Sequence, residues 1–252
     1  MAARRRQIRD LVDASGRMES DELARRLGTS AVTIRSDLRA LAESGALLRT
    51  HGGAVSQREG DEVPLAIRAG HNRNEKQRIA QAAAALVRDG DMLLLDSGST
   101  THEVARQLAA RPPANVNVIT NALNVAMTLA HVPDIRLVML GGVLRPNSFT
   151  LSGPQAEASL ATLYADRLFL GVDALDAGLG LMTPHIMEAR LNAGMIRVAR
   201  QVIAVADASK LQRRNLSAIA GIDALDLLIT DRRAPASVVE AVRERGVAVM
   251  VV

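Results

Sequence analysis

The chain has 252 residues, of which 48% are hydrophobic and 23% charged, and it contains no cysteine. This composition is typical of a globular protein with one large or two smaller domains, and it argues against a disordered chain. The lack of cysteine excludes disulfides and thiolate metal sites. It also fits a reducing compartment, so we expect a cytoplasmic protein.

The formal net charge of +4 is concentrated at one end of the chain. Residues 1–58 carry 11 Lys/Arg and 7 Asp/Glu, whereas residues 59–252 carry 20 of each kind. Positive charge confined to one segment is typical of a surface that attracts phosphates. No apolar run suits a secretory signal or approaches the roughly 20 residues of a membrane span, so we expect neither.

The basic segment has the pattern of a helix-turn-helix. A helical repeat of apolar residues between Arg5 and Ala14 precedes two short predicted helices. Ser20 and Ser30 are suitable N-caps for these two helices, and Gly28 permits the sharp turn between them. The pattern predicts a small helical domain that presents its last helix to a partner.

The second helix of this pair has a small, polar and cationic outer face. Ile34, Leu38 and Leu41 form its buried stripe, so that Val32 and the polar residues lie on the other side. We expect the DNA-binding residues of this region to be Ser30, Thr33, Arg35, Ser36 and Arg39. Such a face fits a major groove, where Arg can bind guanine and hydroxyls bind bases or phosphates. A helical bundle with a solvated basic face is the alternative.

A basic hairpin follows this helix. Leu47–Thr50 and Ala54-Val55 are predicted strands, with Gly52-Gly53 at the bend between them. Arg49 and His51 would then lie at the tip of a wing and contact the DNA backbone or minor groove. We therefore predict a winged helix-turn-helix domain over residues 1–57.

The remaining chain alternates strands and helices. Residues 58–74 are polar and irregular and predict a linker, and residues 75–252 predict an α/β domain with a mainly parallel sheet. The predicted strands are Met92–Leu95, Val116–Ile119, Ile135–Leu140, Leu168–Leu170, Val202–Ala206, Leu227–Ile229 and Val247–Val252. The predicted helices are Glu75–Val87, Thr101–Ala110, Ala122–Ala130, Gln155–Tyr164, Glu188–Arg200 and Pro235–Glu244.

Polar residues follow several of these strands, where open α/β sheets bind ligands. The hydroxyl-rich turn Asp96, Ser97, Gly98, Ser99, Thr100 and Thr101 opens a helix and is typical of an anion cradle, although helix capping alone would favour the same residues. Asn121, the pair Gly141 and Gly142, and Asp173 follow three further strands. We expect these strand ends to form one pocket.

Three charged residues are further candidates for this pocket. Arg145 would clamp a phosphate or form a surface salt bridge. Glu188 would line the pocket or serve only the helix dipole. Lys210 would hold an anion or transfer a proton in an enzyme. The histidine spacings indicate no metal site, and the glycines match no nucleotide-binding motif, so we expect neither a metal nor a cofactor.

The ordered motifs resemble those of bacterial DeoR-family transcriptional regulators over nearly the whole chain. The resemblance depends on Val32-Thr33-Ile34-Arg35, Arg49-Thr50-His51-Gly52-Gly53, Asp96–Thr101, Glu188-Ala189 and Asp207-Ala208-Ser209-Lys210. The motifs are most similar to those of repressors of N-acetylgalactosamine or galactosamine utilisation. Ser36 departs from the family, in which many members carry a second Arg, so base preferences do not transfer.

The resemblance implies a winged-helix DNA-binding domain and a sensor domain similar to ribose-5-phosphate isomerase. It implies a repressor of a sugar or amino-sugar operon that a phosphorylated sugar releases from operator DNA. The Asp96–Thr101 turn would bind the phosphate with Arg145 and Lys210, and Asn121, Asp173 and Glu188 would bind sugar hydroxyls. Palindromic operators require a symmetric oligomer, so we expect a dimer or tetramer. The alternatives are an activator and a sugar-phosphate isomerase or deaminase with an appended DNA-binding domain.

Overall fold

The computed structural model describes residues 2–43, 46–50, 52–56 and 63–252. The chain forms two compact units, Met1–His71 and Asn72–Val252. Within the described residues, no helix is long and apolar enough to cross a membrane.

The first unit is a winged helix-turn-helix. Its elements are α1 (Ala2–Ser15), β1 (Arg17–Glu19), α2 (Ser20–Arg26), α3 (Ala31–Glu43), β2 (Leu47–Arg49), β3 (Gly53–Ser56) and α4 (Leu65–Gly70). The stripes predicted from helical spacing meet in one core, where Ile8, Val12, Leu23, Ile34 and Leu38 are fully or almost fully buried. Burial of these faces holds the three helices against the small sheet.

The wing sheet has three strands rather than the two expected. Strand β1 pairs with β3, and β3 pairs with β2, all antiparallel. The prediction that Ser20 caps α2 is wrong, because β1 runs directly into the helix and Ser20 is its buried first residue. The Ser20 amide instead donates to the Gly52 carbonyl at 2.7 Å, which ties the helix to the wing.

The segment predicted as a linker contains regular structure. Helix α4 lies within it, and Arg73 already begins the first helix of the second unit. Asn72 precedes that helix in a left-handed conformation with φ 50°, which Asn tolerates better than most residues. The polar composition therefore indicated the junction but did not indicate this helix.

The second unit is a three-layered α/β domain. Its helices are α5 (Arg73–Ala84), α6 (Ser99–Ala110), α7 (Leu123–Leu129), α8 (Pro154–Leu160), α9 (Ile186–Val198) and α10 (Ala236–Arg243). Its strands are β4 (Met92–Leu95), β5 (Val116–Thr120), β6 (Ile135–Met139), β7 (Val143–Arg145), β8 (Thr150–Ser152), β9 (Ala165–Gly171), β10 (Ala174–Asp176), β11 (Gly180–Thr183), β12 (Ala199–Val205), β13 (Ser217–Ala220), β14 (Leu227–Thr230) and β15 (Ala248–Val251).

Seven of these strands form one parallel sheet in the order β15-β14-β12-β9-β4-β5-β6. They correspond to the seven strands predicted from apolar runs, so the predicted α/β class is confirmed. Leu94 and Leu95 belong to different apolar clusters because successive side chains point to opposite faces of the sheet. The sheet is therefore covered on both faces, which explains why its strands lack polar alternation.

Two smaller antiparallel sheets were not predicted. One is the hairpin of β7 and β8, and the other joins β10, β11 and β13. Both consist of strands of three or four residues. These sheets place Arg145 and Thr183 within contact distance of Glu188.

Candidate functional sites

The outer face of α3 is exposed as its helical spacing predicts. Arg35, Ser36 and Arg39 are exposed, and 73% of Val32 is accessible. Ser30 accepts a hydrogen bond from the Thr33 amide at 3.1 Å, so it caps the helix as expected. The face can therefore offer two guanidinium groups, one hydroxyl and one apolar side chain to a groove.

The arginines of this unit differ in how far they are neutralised. Arg25 and Arg26 both pair with Glu22 on α2. Among the described residues, Arg35 and Arg39 have no acidic partner in ion-pair distance. The charge of α3 is thus available for an external anion, whereas that of α2 is partly compensated within the helix.

A buried carboxylate fixes the position of α3. Asp37 is only 2% exposed, and its two oxygens accept from Arg4 Nε at 2.5 Å and Arg5 Nε at 2.9 Å. Burial alone would raise the pKa of Asp37, but the hydrogen bonds and charges of Arg4 and Arg5 outweigh it and lower that pKa. These contacts join the start of α1 to the middle of α3.

The wing contributes Arg49 on β2, which is half-buried. The prediction for His51 falls outside the described residues. Gly53 pairs with Glu19, and a side chain at Gly53 would collide with the backbone of Met18. The close approach of β3 to β1 therefore explains this glycine.

In the second unit, the predicted strand ends lie along one edge of the sheet. Leu95 is in register with both Thr120 and Phe169, so Asp96 lies next to Asn121 and to the end of β9. Strands β6 and β12 extend the same edge on either side. The turn after β4 leads into α6, with Gly98 at φ 126° before the first helical residue.

Within this turn, the hydroxyls differ in their surroundings. Thr101 is fully buried, and its Oγ1 donates to the Gly98 carbonyl at 3.0 Å, so it shapes the turn. Ser97 and Ser99 are half-buried and Thr100 is buried. The open hydroxyls and the amides at the start of α6 are therefore the groups suited to an anion.

A chain of polar contacts connects four of the predicted pocket residues. Arg145 pairs with Glu188 at 2.5 Å, and Lys210 lies 4.0 Å from Asp173. The hydroxyl of Thr183 lies 3.3 Å from Glu188 and 3.2 Å from Asp173. Arg145 is thus paired inside the cluster and is not the exposed surface salt bridge of the alternative interpretation.

Asp96 lies near two of these carboxylates. It is 2% exposed, and one of its oxygens, Oδ1, has no hydrogen-bond partner among the described residues. Burial raises the pKa of Asp96 well above its ordinary value, and the charges of Glu188 and Asp173 raise it further, whereas the Ser97 and Gly171 amides lower it. Asp96 therefore keeps its proton to a higher pH than a free Asp, and in that protonated form it can donate a hydrogen bond.

Asn121 directly follows β5, and Gly141 and Gly142 lie between β6 and β7. Asn121 is fully buried, and neither its Oδ1 nor its Nδ2 has a partner among the described residues. Gly142 has φ 124°, and a side chain there would collide with the backbone of Ser152. The hairpin of β7 and β8 therefore requires Gly142, whereas the unpaired Asn121 amide is suited to a polar ligand.

Both units match family models. Residues 4–59 match the DeoR-like helix-turn-helix domain, and residues 71–232 match the DeoR C terminal sensor domain. The chain belongs to the DeoR family. The predicted family is therefore confirmed, and so is the combination of a helix-turn-helix with an α/β sensor domain.

Two relatives show the breadth of the similarity. A putative aga operon transcriptional repressor of Escherichia coli O157:H7 is 38% identical over 99% of this chain and 93% of its own length. The glycerol-3-phosphate regulon repressor of Escherichia coli K12 is 31% identical over 95% of this chain and 94% of its own. This DeoR-family chain is a transcriptional regulator and not an enzyme.

The similarity to solved structures is weaker. Ribose 5-phosphate isomerase A from Methanocaldococcus jannaschii is 23% identical, with a TM-score of 0.40 over 56% of this chain and 55% of the isomerase chain.

Within the described residues of the DeoR-family chain, no group of three or more His, Cys, Asp or Glu side chains is placed to hold a metal ion.

Sequence reasoning missed Thr183 and the contact between Asp207 and Asn72 in this DeoR-family sensor domain. Thr183 joins Asp173 to Glu188, yet its only signal was its position before Pro184 at a strand end. Asp207 and Asn72 form a hydrogen bond although 135 positions separate them. The spacing of residues along one chain gives no indication of such a contact.

Proposed function

We propose that the chain is a repressor of a sugar or amino-sugar catabolic operon in the cytoplasm, and that a phosphorylated sugar releases it from its operator. The observation that carries the proposal is the combination, in one chain, of an uncompensated cationic face on α3 and a polar cluster at the carboxyl edge of the sheet. The names of the relatives support the operon class.

For DNA, Arg35, Ser36, Arg39 and Thr33 would contact the major groove, with Ser30 near the phosphates and Arg49 and His51 on the wing. The exposed Val32 would pack against an apolar group in the groove, such as a thymine methyl. A two-fold operator calls for a dimer or tetramer, because each recognition helix reads one half-site.

For the effector, the amides and hydroxyls of Ser97 to Thr100 would bind the phosphate. Lys210 would add a positive charge from the loop after β12. Arg145 would add another by leaving Glu188 and binding the phosphate instead. Asn121, Asp173 and Glu188 would bind the sugar hydroxyls, with Asp96 donating in its neutral form. The carboxylates make the site selective for a ligand with many hydroxyl or amino donors.

The proposal is tested by fluorescence anisotropy on a duplex that the protein selects from a random pool. We expect galactosamine 6-phosphate or N-acetylgalactosamine 6-phosphate to weaken binding of this duplex. Lys210→Ala should require at least about tenfold more sugar phosphate, because a charge-assisted hydrogen bond contributes about 1.5–3 kcal/mol. Its duplex affinity without sugar is measured in parallel, so that the change in sugar-phosphate response is separated from any change in DNA binding.

Arg214→Ala is the matched control, since Arg214 lies in the same loop with a side chain that is 75% exposed. It should respond to sugar phosphate like the wild type. The proposal is wrong in its effector class if neither of these compounds, nor any other phosphorylated sugar in a panel, changes the affinity of the wild type for the duplex.

A further inference from the structure

Asp207 lies between the proposed effector site and the start of the sensor domain. It follows β12 at the carboxyl edge of the sheet and is 1% exposed. Its Oδ1 accepts from Asn72 Nδ2 at 2.8 Å, from Ser209 Oγ at 2.6 Å and from the Ser209 amide at 3.0 Å. Three donors thus hold one carboxylate oxygen.

The negative charge of Asp207 also interacts with the positive charges of two lysines. Burial would raise its pKa, but the Ser209 hydrogen bonds, the charges of Lys76 and Lys210 and the Asn72 hydrogen bond lower it. Asp207 is therefore ionised at neutral pH. Lys76 is a buried residue of α5, whereas Lys210 belongs to the proposed phosphate site.

A second set of contacts joins α5 to the residues that follow β14. Asp231 follows β14 and is fully buried, and it accepts from the Ala208 amide at 2.7 Å and from Arg233 Nε at 3.0 Å. Arg233 in turn lies 3.7 Å from Glu75 on α5. The first turn of α5 is therefore joined to the Asp207–Lys210 loop by two routes.

Asn72 is the residue at which the chain enters the sensor domain. Its left-handed backbone is held by the side-chain bond to Asp207 and by its carbonyl, which accepts from the Lys76 amide at 3.0 Å. Removal of the Asp207 contact would free this residue to take the more common right-handed or extended conformations, and so redirect the chain that leads to the DNA-binding unit.

We propose that Asp207 is a positioning residue that transmits ligand binding at Lys210 to Asn72, and thereby to the segment that carries the DNA-binding domain. This inference rests on the proposed function. A phosphate that binds Lys210 brings negative charge towards the Asp207 carboxylate and competes for the ammonium group that stabilises it. The Asp207–Asn72 contact therefore belongs to the operator-binding form, and ligand binding weakens it.

The decisive variant is Asn72→Gly in the full chain. Glycine can adopt the left-handed backbone without strain but lacks the side-chain donor that holds residue 72 in it. Asn74→Gly is the matched control, because Asn74 is an exposed residue of the same helix and a glycine there adds similar flexibility. Thermal unfolding of both variants checks that they fold.

Without sugar phosphate, we expect Asn72→Gly to bind the selected duplex about tenfold more weakly than Asn74→Gly, within the range of allosteric coupling. With no DNA present, we expect calorimetry to show that Asn72→Gly binds galactosamine 6-phosphate or N-acetylgalactosamine 6-phosphate more tightly than the control. Linkage requires these opposite shifts, because the variant favours the form that the ligand prefers.

Equal duplex affinity in the two variants would overturn the inference. So would a parallel loss of duplex and sugar-phosphate affinity, which indicates structural damage alone. If the wild type binds neither compound, the proposed effector class fails, whereas the ligand-free comparison of duplex affinities still decides whether the Asn72 contact supports the operator-binding form.

Discussion

Individual arginines of the first unit differ in whether an acidic side chain compensates their charge. Arg26 and Arg35 are both exposed and lie in the same unit, yet Arg26 pairs with Glu22 and Arg35 has no acidic partner in the described chain. An arginine without an internal ion pair breaks no such contact when it binds a phosphate or a guanine, so its binding has a smaller free-energy cost. Residue type alone therefore does not identify the DNA-contacting positions.

We predict that Arg35→Ala weakens binding of the selected duplex by about 1–3 kcal/mol, the loss expected when a base-contacting arginine is removed. Arg26→Ala, the matched control, should cost much less because the native side chain is engaged with Glu22. Anisotropy at one fixed salt concentration measures both. Equal losses in the two variants would contradict the assignment of α3 as the recognition helix.

Asp96 gives a prediction about pH. Its raised pKa means that the folded protein binds a proton that the unfolded chain releases, so stability falls as pH rises from about 3.9, the pKa of a free Asp, through the raised value. Asp96→Asn removes this cost. We expect the variant to have a higher melting temperature than the wild type at pH 8 and no advantage at pH 4.

Thermal unfolding across this pH range is the measurement. Asp134→Asn is the control, because Asp134 is exposed, and it should change the melting temperature at neither pH. A difference between Asp96→Asn and the wild type that stays constant with pH would show that Asp96 is not destabilised by its charge.

At the scale of elements, helix α3 is held by a contact outside the helix-turn-helix motif. The arginines at the start of α1 hold Asp37 in the middle of α3. Because Asp37 has a lowered pKa, its contribution to stability is present above the unfolded-state pKa and is lost as pH falls through the lowered value.

We predict that Asp37→Asn destabilises the first unit by about 1.5–3 kcal/mol at pH 7, the usual contribution of hydrogen bonds to a charged group. The loss should shrink as the pH falls towards 2, where the wild-type carboxylate is also protonated. Chemical unfolding at several pH values measures this. Asp10→Asn, with a largely exposed side chain, should have little effect, and an equal loss in both variants would refute the role of Asp37.

The elements also show what the sequence alone can predict. Buried strands such as Met92–Leu95 leave a continuous apolar run, so all seven strands of the large sheet were predicted. Strand β1 and the pair β7 and β8 have three residues each, too few for a recognisable period. These short strands are stabilised by pairing with a partner strand, which composition does not reveal.

The same limit applies to the candidate sites. The turn Asp96–Thr101 and the outer face of α3 are local patterns and were predicted from spacing. The Asp207–Asn72 contact joins residues 135 positions apart and depends on the order of strands in the sheet. Local pattern thus indicates where a ligand can bind, whereas the fold determines which residues transmit that binding.

At the scale of the whole molecule, the two units differ in charge and in the task proposed for each. The excess of positive charge lies in residues 1–58, and the remaining chain has none. A protein of this kind should bind duplex mainly through phosphate neutralisation, with the release of counterions, and should sense its ligand in a domain that does not itself attract DNA.

The salt dependence of duplex affinity shows whether phosphate neutralisation drives binding. We predict that the logarithm of the association constant of the full chain for its selected duplex falls linearly with the logarithm of salt concentration, with a slope of about −0.9 for each phosphate neutralised and several phosphates per complex. Arg39→Ala should make the slope shallower. An affinity that does not change between about 50 and 200 mM salt would show that phosphate neutralisation does not drive duplex binding.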